Sequence, residues 1–227
     1  MIALDHGVVA ARTLADGVAW CEATLGITPG PGGEHGFMGT HNRLFSIGSA
    51  RFPHAYFEII AINPNAPVPK RTRWFDLDSP ALQRAIAGEP RLIHWVARCN
   101  HIHSTVATLR AAGIEPGEVL RAERQTPRGL LRWQITVRAD GRRLLNGALP
   151  TLIQWGDAHP ADAMPHSGVT LERIAVRGLP AAMVVMLPSD VLPVADATAA
   201  PLGVTLATPR GPVVLRSLEV EVDHVPP

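Results

Sequence analysis

Residues 4–11 read LDHGVVAA and residues 92–99 read LIHWVARC; laid one above the other, they share Leu4 with Leu92, His6 with His94 and Val8 with Val96 at equal offsets. Each is an apolar run of strand character broken by a histidine. The segments downstream are also alike. After the first, Leu14, Val18, Cys21 and Leu25 recur at helical spacing and Gly26 supplies a stop; after the second, HSTVATLRAAGIEPG (103–117) reads as an amphipathic helix ending at Gly113. Strands come next in both cases: GTHNRLFSIG (39–48) and HAYFEIIAINP (54–64), then LLRWQITVRADG (130–141) and LPTLIQWGD (149–157). The chain therefore divides into a βαβββ module over 1–62, a connector with five prolines and a helical patch at SPALQRAIAG over 63–90, and a second βαβββ module over 91–157. Within the first module a strand near residue 38 is the least defined element. The extension 158–227 repeats the pattern weakly, with Glu172 or Arg173 where the modules carry histidine, and reads as a degenerate third module that extends the sheet or covers an edge.

Composition sets outer bounds. With 46% hydrophobic and 18% charged residues, 20 Gly and 21 Pro, the 227-residue chain is an ordinary globular sequence rich in turns. A net charge of +1 with no basic run excludes nucleic acid as a partner. No stretch of about 18 uncharged apolar residues offers a membrane span, and the N-terminus lacks a secretory pattern, so the expected location is the cytoplasm. Cys21 and Cys99 form no CxxC or disulfide framework and read as reduced thiols filling apolar space.

An internal repeat predicts which positions meet in space, so His6 gains a partner in His94. The last strands of the modules give a second pair, Glu58 in YFEIIA and Gln154 in TLIQWG. Flanked by Phe57, Ile59 and Ile60, Glu58 would cost several kcal/mol to bury unpaired, so something must compensate it. Two imidazoles, a carboxylate and a carboxamide are nitrogen and oxygen donors suited to Zn, Ni, Mn, Co or Fe(II) rather than calcium. The period of a strand puts His6, Val8 and Ala10 on one face and Tyr56, Glu58 and Ile60 on one face, so both ligands can enter one cleft.

These residues, together with LGITPGPGGEHGFMGTHNRLF (25–45), resemble the glyoxalase-like domain family of the vicinal oxygen chelate superfamily, the fold of glyoxalases, bleomycin-resistance proteins and extradiol dioxygenases. The resemblance implies an α+β fold in which paired βαβββ modules form an open, eight-stranded, barrel-like sheet, with metal ligands His6, Glu58, His94 and Gln154. It further implies a metal-dependent enzyme of lyase or isomerase type acting on a small oxygenated metabolite. Glu58 would serve as ligand and general base, taking a proton from a carbon next to a carbonyl. Two alternatives stay open: an Fe(II) extradiol-type dioxygenase on the same His/His/Glu set, with His41 as acid-base partner, and a metal-free binding or resistance protein. His41 is a catalytic candidate in either enzyme, and Arg43, Arg132 and Trp133 are candidate substrate contacts. Trp95 and Trp155, each directly after a proposed ligand, would turn away from the cleft. His35, His54, His101, His103, His159, His166 and His224 read as solvated, and the 158–227 tail leaves room for a homodimer.

Overall fold

The computed structural model describes residues 2–219 and realises the doubled pattern. The first module runs β1 (Ala3–Ala10), α1 (Leu14–Trp20), β2 (Glu34–His35), β3 (Thr40–Ser46) and β4 (Tyr56–Ile62). Thr13 caps α1 by accepting the Asp16 N–H at 3.1 Å, and the helix runs on through a π-helical turn, Cys21–Leu25, to Gly26, whose φ of 74° supplies the left-handed stop. After α2 (Pro80–Ala85), the second module runs β5 (Arg91–Arg98), α3 (Ile102–Ala111), β6 (Glu118–Thr126), β7 (Gly129–Val137) and β8 (Thr151–Trp155). All eight strands form one curled sheet in the order β2-β3-β4-β1-β5-β8-β7-β6. In each module the first strand pairs in parallel with the last, and the modules join where β1 and β5 run antiparallel. There His6 faces Val96 and Val8 faces His94, the register of a local two-fold axis that exchanges the two histidines.

Two sequence expectations change. The short β2 lies at Glu34–His35 rather than near 38, and β6, whose EVLRAERQT carries no apolar alternation, forms a hairpin with β7 at the sheet's edge, where charged side chains are tolerated.

The sheet's outer face carries the helices. Trp20, Leu25, Phe57, Trp95, Ile102 and Leu109 bury together there. The extension packs into the same core through Leu171, Ile174, Val176, Leu202, Val204 and Leu206. It consists of β9 (Thr170–Arg177), α4 (Ala181–Val184), β10 (Val191–Val194), β11 (Leu202–Thr208) and β12 (Gly211–Arg216). This is the strand, helix, three-strand order of a module, yet its separate sheet is ordered β10-β9-β11-β12, so its first strand pairs in parallel with its second strand rather than its last. Glu172 and Arg173 are exposed on it, and His224 lies outside the described residues.

On the inner face the connector does more than connect. Trp74, Phe75, Leu77, Leu82 and Ile86 are buried against Val8, Ala10, Ile60, Ile93 and Val96, so residues 74–86 fill the middle of the curled sheet. A buried Asp76–Arg143 pair, 2.8 Å apart, fastens this plug to the second module. Among the described residues no helix is long and apolar enough to cross a membrane.

Candidate functional site

The site starts from an irregularity in β1. Leu4 pairs with Ala97 and His6 with Val96, so Asp5 is the extra residue of a β-bulge. The bulge breaks strict alternation and lets Asp5 work beside His6 instead of pointing away from it. The fully buried Asp5 carboxylate lies 2.6 Å from His6 Nδ1, accepts the Trp155 indole N–H at 2.9 Å and lies 2.9 Å from His159 Nε2. With Nδ1 held, His6 turns Nε2 toward Glu58 Oε2, 3.6 Å away, while its ring stacks on Tyr56 with centroids 4.5 Å apart.

Glu58 is compensated from several sides. β1 and β4 pair Val8 with Glu58, which places the carboxylate on the inner face beside His6. Asn42, inward-facing on β3, donates to Glu58 Oε1 at 2.6 Å, and its own oxygen accepts the Gly33 N–H at 2.7 Å. Gly32 allows that loop to lie so close, because a Cβ there would meet the Asn42 backbone and side-chain oxygens. The same loop delivers His35, buried at 7% exposure, whose Nε2 lies 3.8 Å from Glu58 Oε1 and whose Nδ1 is 3.1 Å from Thr40 Oγ1. His6, His35, Asn42, Tyr56 and Glu58 line a small cavity of about 40 Å³. Trp74, Phe75, Leu131, Trp133, Ile135 and Trp155 supply its apolar walls and Arg124 a cation.

The structure does not bring His94 or Gln154 to this cavity. His94 Nδ1 faces the Gly147 carbonyl at 3.2 Å, and its Nε2 accepts the Thr151 N–H at 3.2 Å and lies 3.0 Å from Thr151 Oγ1. Its ring rests on Phe75, centroids 5.0 Å apart, and it lines a second small cavity of about 30 Å³ across the Trp74–Phe75 plug. Thr151, not Gln154, is the counterpart of Glu58, since Val96 pairs with Thr151 as Val8 pairs with Glu58. Gln154 instead accepts the N–H of Ile102 at 2.8 Å, holding the start of α3.

The remaining candidates divide. Trp133 forms a wall of the Glu58 cavity. Arg132 is exposed and pairs with Glu123 at 3.3 Å. His41 and Arg43 alternate with Asn42 on β3 and so take the face opposite to it, and Arg43 is exposed. Trp155, expected to turn away, lines the cavity because Gln154 faces outward, whereas Trp95 is fully buried on the outer side, donating to Ala148 at 2.7 Å. His35 and His159, read as solvated, are respectively buried and bound to Asp5. His54, His159 and Asp162 gather near the surface, yet both His159 nitrogens are taken, one facing Asp5 and the other accepting the Ala161 N–H.

Burial and charge act oppositely on these groups. Burial alone would lower the His6 pKa, but its hydrogen bonds to Asp5 and Glu58 outweigh that and raise it to about 9. Burial alone would raise the Glu58 pKa, but the His6 hydrogen bond, the His35 and His6 charges and Asn42 bring it to about 2, and Asp5 is likewise held below its ordinary value. Burial lowers His35 to about 4, against the pull of Glu58, and with Arg143 lowers His94 to about 3. These shifts set a stability profile for the metal-free protein. Stabilisation from neutral His35 and His94 is complete above their unfolded pKa of 6.5 and fades as pH falls toward 4 and 3. That from protonated His6 is complete below 6.5 and is lost as pH rises through 9. Urea unfolding in the presence of chelator should therefore show maximal stability near pH 6.5, with limbs of up to about 1.4 kcal/mol per pH unit for each group. His6→Gln should flatten the alkaline limb, and a wild-type curve level from pH 7 to 9 would exclude the His6–carboxylate pairing.

The donor set also bears on a divalent ion. At metal–ligand distances of about 2.0–2.2 Å, one ion reaches both His6 Nε2 and the Glu58 oxygen 3.6 Å from it. Asp5 on the far nitrogen of His6 is the outer partner that metal-binding histidines commonly have. His6 and Glu58 thus fit an ion; the four-residue set with His94 and Gln154 does not close around one.

Comparison with known proteins agrees with this architecture. The family described as the glyoxalase-like domain matches residues 4–187. A hypothetical protein from Staphylococcus aureus of known structure aligns over 97% of this chain and 88% of its own, at 16% identity and a TM-score of 0.56. Methylmalonyl-CoA epimerase from Streptomyces coelicolor, in complex with 2-nitronate-propionyl-CoA, aligns over 70% and 99% at 17% identity and a TM-score of 0.43. The epimerase from Mycobacterium tuberculosis aligns over 71% and 91% at 16% identity and a TM-score of 0.40. Among curated proteins, none matches the chain.

Proposed function

Since this chain belongs to the glyoxalase-like domain family of the vicinal oxygen chelate superfamily, we propose that it is a metal-dependent enzyme of lyase or isomerase type. It moves a proton at a carbon next to a carbonyl group in a small oxygenated substrate. The observation that carries this reading is the buried Glu58 carboxylate, facing His6 at the polar end of a cavity walled elsewhere by aromatic and aliphatic side chains.

His6 and Glu58 would hold the ion, and the ion, when bound, supplies Lewis-acid polarisation of substrate oxygens. The protein's own groups do the rest. Glu58 is ionised at neutral pH and faces the cavity, which makes it the group placed to accept the carbon-bound proton. Asn42 fixes Oε1 by its hydrogen bond, which orients Oε2 toward His6 and the cavity. Asp5 fixes the His6 ring in turn. Leu131, Trp133, Ile135 and Trp155 exclude water, and Arg124 offers a cation to a carboxylate-bearing substrate. The aromatic walls favour, as a second reading, Fe(II)-dependent ring cleavage in the same cavity, and the identity of the ion separates the two.

The test is elemental analysis of protein purified without chelator, then proton NMR in D₂O with methylglyoxal, small 2-oxo acids and 2-hydroxy carbonyl compounds. The expected result is one divalent ion per chain and loss of a substrate signal next to the carbonyl as deuterium washes in. Protein that holds no ion, even after incubation with Zn, Ni, Mn, Co or anaerobic Fe(II), and exchanges no proton would overturn the reading.

A further inference from the structure

We infer that the substrate is a small carbonyl acid whose carboxylate is held by Arg124, so that the second module grips the molecule from which Glu58 of the first module takes a proton. This deepens the function proposed above by naming its substrate class, and rests on that reading.

Arg124 is set apart by its place on β6. Along EVLRAERQT, Leu120, Ala122 and Arg124 are half-buried while Arg121, Glu123 and Gln125 are exposed, so Arg124 is a cation at the end of an inward apolar row. Its cross-strand neighbour on β7 is Leu131, followed by Trp133 and Ile135, and all three wall the Glu58 cavity with it. The next residue shows the contrast. Glu123 lies opposite Arg132 on the outer side of the same hairpin and pairs with it at 3.3 Å. Arg138 and Arg143, which line the second cavity, are paired with Asp140 and Asp76. Among the described residues Arg124 has no carboxylate partner, and Glu58, on the same cavity, is already answered by His6 and Asn42. Its charge is thus left for a ligand.

The first module fixes where that charge sits. A Cβ on Gly33 would meet the Arg124 guanidinium, so the arginine lies directly on this glycine, next to β2. The contact spans the two ends of the curled sheet, β2 and β6. Gly33 donates its N–H to Asn42 Oδ1 at 2.7 Å, and Asn42 donates to Glu58 Oε1 at 2.6 Å. One short chain of contacts therefore sets the cation against the base. Burial lowers the His35 pKa and the Arg124 charge adds to the fall, which places that charge within reach of the polar end of the cavity. A guanidinium takes a carboxylate through two parallel N–H bonds. An uncharged carbonyl compound of the same size leaves it without an anion, which is the kind of difference that separates close analogues most strongly. A cavity of about 40 Å³ restricts the acid to a small one.

The test compares pyruvate, 2-oxobutyrate and acetoacetate with their methyl esters on the protein as purified. Saturation-transfer NMR reads binding, and loss of signal in D₂O reads carbon-proton exchange. At least one acid should bind about 10-fold or more tightly than its ester. Arg124→Gln should abolish that preference and leave ester binding unchanged, and Arg124→Lys, which keeps the charge but not the fork, should restore only part of it. Gly33→Ala, which keeps the arginine but shifts its guanidinium, should weaken acid binding by about 10-fold. Arg121→Gln removes an exposed charge from the same strand and should bind as the wild type does, which separates a held carboxylate from general attraction. No acid preferred over its ester, or a preference that survives in Arg124→Gln, overturns this assignment, while proton exchange in the esters keeps the proposed function standing. Acid binding that depends on Arg124 with no proton exchanged overturns that function and leaves the Arg124 contact in place.

Discussion

Glu58→Gln is expected to lower the rate of carbon-proton exchange by about 10²–10⁴-fold, with loss of the bound ion and a folded chain. The amide is nearly isosteric, and its oxygen can still accept the Asn42 donor that now lies 2.6 Å from Oε1. What disappears is the charge. The carboxylate is both the proton acceptor and one of the two groups that raise the His6 pKa, so His6 should fall from about 9 toward its ordinary value in the variant. Asp5 still pairs with His6, so the buried cation is not left alone and the fold survives. Three readouts therefore change: exchange rate and ion content in the protein as purified, and the imidazole titration monitored by NMR in the metal-free protein. A variant that keeps its ion and full exchange rate places the chemistry elsewhere. One that loses exchange while His6 still titrates near 9 breaks the link between the two residues.

The sequence made the frame and half of this site legible, for identifiable reasons. His6 and His94 are legible as a pair because β1 and β5 are the same strand of two copies, and their register bears out the alignment by offset. Glu58 stands out because a carboxylate among Phe57, Ile59 and Ile60 needs compensation wherever the strand lies. Gln154 misleads for the opposite reason. It resembles Glu58 chemically, but the true counterpart, Thr151, lies three residues earlier, and an odd slip along a strand reverses the face. The orientation expected of Trp155 fails with it. Asp5 is invisible to alternation because a β-bulge is a property of pairing, and only the pairing of its neighbours, Leu4 with Ala97 and His6 with Val96, reveals it. His35 had one available signal, the glycine pair before it in GGEH, which marks a close backbone approach. The plug had another, WFDL at 74–77, an apolar run out of place in a solvated linker.

Removing the Asp76 charge, in Asp76→Ala, is expected to destabilise the protein by about 3–5 kcal/mol, because it strands a guanidinium in the core. Arg143 is 1% exposed in its side chain and Asp76 5%, with Nε donating to Oδ2 at 2.8 Å and Nη1 to the Ile93 carbonyl at 2.7 Å. The pair joins two segments held in left-handed backbone conformation, Phe75 and Asp76 at φ of 60° and 59°, and Leu145 and Asn146 at 52° each. Non-glycine residues there cost of order 1–3 kcal/mol apiece, and the ion pair ties the two segments to each other. Asp76→Leu with Arg143→Leu should recover much of the loss, since a buried pair replaced by apolar side chains is often neutral or better. A urea double-mutant cycle measures this directly. Additive losses would show that the pair is not coupled. The functional consequence lies in Trp74 and Phe75, which this restraint holds between the two cavities. In Asp76→Ala at permissive temperature, acrylamide should quench indole fluorescence more strongly, and the affinity of the first-module site for Zn²⁺ should fall less than stability does, because none of its proposed ligands touches the pair. Equal loss of both would mean that the plug shapes the metal site as well as walling it.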